Sequence, residues 1–245
     1  MLEPVWQWFE WLYDAHGINL TIFYDSYDRE RFAWGIVMTV VLSLVCMATS
    51  VAIGITGAWL QQSRLAWLRL IVQGYIQFFR NTPPLVQIYF FYFAVDATLS
   101  DLLGVNFIMG SFGWAVISIS FFAGAFNIEI FRAGIEAVPK STVEAAESLG
   151  YTRLGAYRYV VLPLAYRVCL PTLNNNMINL VKTTTLAYAI AVPETLYVAN
   201  QIWSDEVNVP EMMNVVWIVY IGLVGLLVWV MHRWEKAIRI PGFGQ

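Results

Sequence analysis

The sequence predicts an all-α integral membrane protein with about five transmembrane helices. Of its 245 residues, 59% are hydrophobic and only 13% are charged, about half the charge expected of a soluble domain. Long charge-free runs alternate with short polar links, and about 20 apolar residues suffice to cross a bilayer core. The basic residues are gathered into alternate links, as they are in membrane proteins of fixed orientation. Sixteen per cent aromatic residues, including eleven Trp, suit a chain with two membrane interfaces to anchor. A net charge of −3 argues against nucleic acid as a partner.

Residues 1–32 are aromatic and acidic and read as an external leader. Val5, Trp8, Phe9 and Leu12 recur at helical spacing, so 4–13 is either a short interfacial helix or simply an ordered leader. No secretory signal is expected there, because a basic start and a clean apolar run are both missing. Residues 33–240 read as one transmembrane domain. Its first span, 34–60, carries no charge, and Gly54 and Gly57 offer a small-residue face for close helix packing. The second, 70–95, is broken at Arg80-Asn81-Thr82-Pro83-Pro84, where two prolines remove backbone donors, and it could be re-entrant. The third is 112–132, the fourth 166–192 with its run of asparagines, and the fifth 213–234. Cys46 and Cys169 read as small buried hydrophobes, and nothing has metal-ligand spacing.

Five helices place the termini on opposite sides. The 61–69 turn, the 133–165 loop with its flanking arginines, and the tail from His232 hold ten of the fourteen basic residues. The N-terminus and the 96–111 and 193–212 links hold only Arg29 and Arg31 against twelve acids. The N-terminus is therefore expected outside, with the C-terminus and the 133–165 loop in the cytoplasm.

That loop is the longest polar passage in the chain. Ser141 and Glu144 fit a capping box, Gly150 is placed to end a helix, and Thr152 can cap a second helix, 153–161, that stops before Pro163. By itself this is a solvated helical hairpin whose alanine-rich face could enter a cleft on a partner. The spacing Glu144-Ala145-Ala146, Gly150, Val160, Leu162-Pro163 resembles the cytoplasmic-loop signature of permease subunits in ABC-type importers, with Val160 where isoleucine is usual. The stretches 79–87, 127–135 and 182–187 are similar to those of the polar amino acid uptake family. The resemblance implies a type I importer permease fold of five spans in a bacterial inner membrane. It also implies a second permease subunit (same or homologous), two ATPase subunits carrying ATP and Mg²⁺, and a periplasmic or extracellular substrate-binding protein. The sequence contains no G-x-x-x-x-G-K-[ST] phosphate cradle, so this chain is expected to bind no nucleotide or other cofactor and to be no enzyme. Glu144, Ala145, Ala146, Gly150, Leu162 and Pro163 are the expected coupling residues.

Charges inside a membrane are functional candidates. Arg80, Glu129 and Lys182 either line an aqueous path that meets the amino acid zwitterion, or form internal pairs and snorkel. Thr82, Gln87, Asn176 and Thr183 join them as cavity candidates, because the broken span leaves backbone groups that a cavity tolerates. Two cations against one carboxylate lean towards an acidic or amide substrate. An ion-coupled secondary transporter is the alternative, although no repeat of the broken span is visible and Glu129 is the one intramembrane carboxylate. A membrane anchor without transport would not require the charges.

Overall fold

The structure, a computed structural model, describes residues 3–106 and 108–238, and its regular elements over them are all helices. Arg239, counted above with the basic tail, lies outside the described residues. Helix α1 is Glu3–His16, so the leader does form a helix, three residues longer at its C-terminal end than the periodicity marks. Helix α2 is Ser26–Gln61, α3 is Ala66–Asn81 and α4 is Pro84–Leu103. Helix α5 is Ser111–Glu136 and α6 is Lys140–Ser148. Helix α7 runs over 153–183, α8 is Thr195–Glu206 and α9 is Val209–Ile238.

Four of these, α2, α4, α5 and α9, are long and apolar enough to cross a membrane. Where the fourth span is expected, the C-terminal part of α7 is a helix over Leu162–Thr183, followed by a 3₁₀ turn over Thr184–Ile190; it is not among the four apolar enough to cross. Four asparagines, Arg167 and Lys182 keep it far more polar than the others. Its continuation to 192 as regular helix is not seen, since Ala191 turns the chain with φ +57°.

The second span breaks where the prolines demand, between Asn81 and Pro84. Its apolar half runs further than 95, through a π turn at Phe90–Val95 and on to Leu103. Asp96 does not stop it, because that carboxylate accepts from Trp114 Nε1 at 2.7 Å and from the Ile108 amide at 3.0 Å. Gly104, at φ +67°, ends it instead.

The chain forms two compact units. One comprises the segment up to Val45, Leu85–Ser118 and Val181–Gly225. Its core packs Ile22 and Phe32 against Val198, Ala199, Ile202, Met212 and Val216. Arg31 bridges Asp28 at 3.0 Å and Asp205 at 2.8 Å. Burial and the nearby Glu206 push the Tyr24 phenol up to about 12, so it stays protonated and donates to Asn19. The other unit comprises Cys46–Pro84, Ile119–Leu180 and the segment from Leu226. Its core joins Ala58, Val72, Ile76 and Ile128. Gly54 and Gly57 face α5 as the small-residue pattern predicts. A β-carbon on Gly54 would come within 2.5 Å of Asn127 Cβ, and one on Gly57 would strike Ile128.

Candidate functional site

The 133–165 loop is the best-defined candidate. Helix α6 starts two residues earlier than a capping box at Ser141 would place it. Pro139 is the N-cap, no side chain caps the helix, and the Thr142 amide donates to Pro139 O at 3.0 Å. Ser141 is thus already helical and cannot serve as the cap. The other end follows the expected chemistry. The Gly150 amide bonds to Glu147 O at 3.0 Å and the Tyr151 amide to Ala146 O at 3.2 Å. Those two bonds, with Gly150 at φ +91°, form a Schellman motif, and only glycine adopts that backbone freely. Thr152 then caps the next helix by accepting from the Gly155 amide.

Pro163 does not stop that helix, contrary to expectation. A proline in a regular helix clashes with the carbonyl four residues back. Here the helix widens into a π turn over Tyr157–Val161, with the Leu162 amide reaching Tyr157 O, and passes into Leu162–Thr183 without a break. Leu162 and Pro163 therefore open the helix Leu162–Thr183 rather than close the loop.

Glu144 and Ala145 are exposed, whereas Ala146 is buried against the hairpin itself. The turn displays apolar side chains to the outside: Leu149 is 81% exposed and Leu154 77%, with Tyr151 and Tyr159 also exposed. The sequence points to the alanine-rich face and passes over Leu154. Its signal was a leucine one residue past a capped helix start, in a loop otherwise polar. Val143 holds the hairpin to the helix ends by packing with Val138, Val161 and Ala165.

Of the membrane candidates, Arg80 and Glu129 are brought together as an ion pair. Arg80 also sits over the Phe126 ring at 5.1 Å. Arg132, closer to Glu129 in sequence, is held by Glu136 at 2.9 and 3.0 Å instead. Asn176 donates to Asn127 Oδ1 at 2.7 Å and to Ala123 O at 3.2 Å, and Asn127 donates to Ser50 Oγ at 3.2 Å. This buried chain ties α2, α5 and α7 together. Thr82 closes back on Phe78 O at 2.8 Å. Gln87, Lys182 and Thr183 belong to the other unit; Gln87 is buried and Lys182 exposed.

The sequence reading missed Glu194, which it counted among the external acids. Glu194 has 0% exposure. It caps α8, accepting from the Leu196 and Tyr197 amides at 2.9 Å each, and it also accepts from the Tyr220 hydroxyl at 2.9 Å. Beside it Thr39 and Thr195 share a 2.8 Å hydroxyl contact.

The family model of binding-protein-dependent transport system inner membrane components matches residues 50–240, and the chain belongs to that family. It is a multi-pass permease component of the ABC type in the inner membrane, without catalytic function of its own, and the secondary-transporter alternative falls away. The chain is 30% identical to the probable amino-acid ABC transporter permease protein PatM of Vibrio harveyi, over 94% of this chain and 98% of that protein. It is 27% identical to the glutamate/aspartate import permease protein GltJ of Escherichia coli (strain K12), over 97% and 96%. Among solved structures, it superimposes on a chain of an amino acid ABC transporter crystallised with histidines. There the TM-score is 0.76 and the identity 28%, over 85% of this chain and 94% of the other.

Proposed function

We propose that this permease subunit carries a polar amino acid across the inner membrane by alternating access. In this reading it works with two ATPase subunits, a second permease subunit and an external substrate-binding protein. The observation that carries the reading is the loop: a rigidly capped hairpin presenting Leu149 and Leu154 outward, joined without a break to Leu162–Thr183. An exposed apolar tip on a polar loop suits insertion into a partner's cleft. With the charge asymmetry placing the loop in the cytoplasm, that partner is the ATPase. Closure of the two ATPases moves the hairpin, and the continuous helix passes the displacement on to the membrane segment. Glu144, Ala145 and Gly150 contribute to docking, and Ala146 keeps the hairpin compact.

The polar amino acid class is supported by the named relatives and by the intramembrane charges. Arg80, Glu129 and Lys182, with Thr82, Gln87, Asn176 and Thr183, are the residues proposed to meet the cargo.

The test is Gly150→Trp in the assembled transporter, reconstituted in proteoliposomes. A side chain at φ +91° strains the turn and displaces its tip. Amino acid uptake and substrate-stimulated ATP hydrolysis are expected to fall together, with basal hydrolysis by the ATPase kept. If uptake and stimulation both survive, the hairpin does not couple.

A further inference from the structure

We propose that the face of the permease beside α6 holds an anionic phospholipid of the cytoplasmic leaflet, with its head group between Lys140 and Arg153. A cavity of about 760 Å³ opens there, between the end of α2, the end of α5 and the coupling hairpin. Lys140 and Arg153 are its two charged lining residues, and no acidic side chain lines it. Lys140 opens α6, whose amino end carries no side-chain cap, so the helix dipole adds to the attraction for a phosphate.

A second, almost wholly apolar slot of about 360 Å³ adjoins it. The two share Trp59, Gln62, Ile135 and Tyr157. The slot then runs along the membrane helices past Ile55, Phe131 and Leu162. At the junction the Tyr157 hydroxyl donates to Gln62 Oε1 at 2.9 Å. Trp59 stands exposed beside it, the usual position of an indole at the head-group level.

A cationic vestibule leading into a greasy slot matches an amphiphile with an anionic head and an acyl chain. A free phosphate would have no use for the slot, and an apolar molecule none for the cations. Basic pockets between membrane helices on the cytoplasmic side take anionic head groups for the same reason. The site rests on the membrane orientation given above but not on the transported substrate. Its lining takes Lys140 and Val143 from α6 and Arg153 and Leu154 from the hairpin tip, so it borders the ATPase-docking surface without using Glu144, Ala145 or Gly150.

The test is native mass spectrometry of the full chain, purified in mild detergent, stripped of lipid and titrated with phosphatidylglycerol or phosphatidylcholine. Phosphatidylglycerol is expected to bind on the order of tenfold more tightly, and Lys140→Gln/Arg153→Gln to abolish that preference. Arg233→Gln/Lys236→Gln, which removes the same charge elsewhere, is expected to keep it. An unchanged elution profile of each variant shows that it is folded. Equal binding of the two lipids, or a preference that survives the first double variant, overturns the site. So does equal loss in the second double variant, or displacement of the lipid by inorganic phosphate. Each readout is independent of transport, so failure here leaves the proposed cargo and coupling untouched.

Discussion

The Tyr220 hydroxyl donates to Glu194 Oε2 at 2.9 Å, joining helix α9 to the capped start of α8. Glu194 is fully buried and accepts from two backbone amides as well as from this phenol. Removing it leaves those amides and the phenol unsatisfied, which costs more than the bonds themselves contribute.

Glu194→Ala is therefore expected to lower stability by about 2–4 kcal/mol, and Tyr220→Phe by about 1 kcal/mol. Thermal unfolding of the purified chain in detergent measures both. Equal effects of the two changes would show that the capping bonds carry little.

Gly54→Ala is expected to cost about 1–3 kcal/mol, because its new methyl meets the fixed Cβ of Asn127 rather than a side-chain end. Gly74 has nothing within 4 Å of its β position. Gly74→Ala is expected to be neutral or to stabilise α3 by up to about 1 kcal/mol. The comparison separates packing from helix propensity within one protein and one assay.

Arg80 and Glu129 are part exposed, at 38% and 29% of their side chains, so solvent screening limits the worth of the pair. A double-mutant cycle with Arg80→Gln and Glu129→Gln is expected to give a coupling on the order of 1 kcal/mol. If the double variant regains stability but raises KM for uptake, the charges serve the cargo. If it regains both, the pair is structural.

Val207 takes φ +53° while 85% exposed, a conformation costly for a β-branched residue. Val207→Gly is expected to stabilise by about 1 kcal/mol by releasing that strain. A lowered melting temperature would mean that the side chain makes a contact worth more than the strain.

The parts legible in the sequence were those written in local chemistry. Pro83-Pro84 broke the second span, Gly54 and Gly57 faced a neighbour, and Gly150 and Thr152 shaped the hairpin, each through a backbone requirement of its own residue. The Ser141 cap was misread because Pro139, two residues upstream, starts the helix first. Pro163 was misread as a stop because a π turn, which widens the helix to accommodate it, has no local signature. Asp96 looked like the start of a link; its partner Trp114 stands eighteen residues away. Glu194 could not be found at all, since its burial comes from Thr39 and Tyr220, remote in sequence. The Arg80–Glu129 pair was visible only as two charges and became a pair once α3 and α5 were packed.

The continuous helix over 153–183 makes the number of residues, and not only their kind, part of the design. One residue added to a helix turns everything beyond it by about 100°. An insertion between Thr152 and Asn176 would swing Asn176 away from Asn127 while leaving every side chain in that stretch unaltered. A change in length would put the hairpin out of phase with the helix it drives. Permeases that share this connection should therefore hold its length constant.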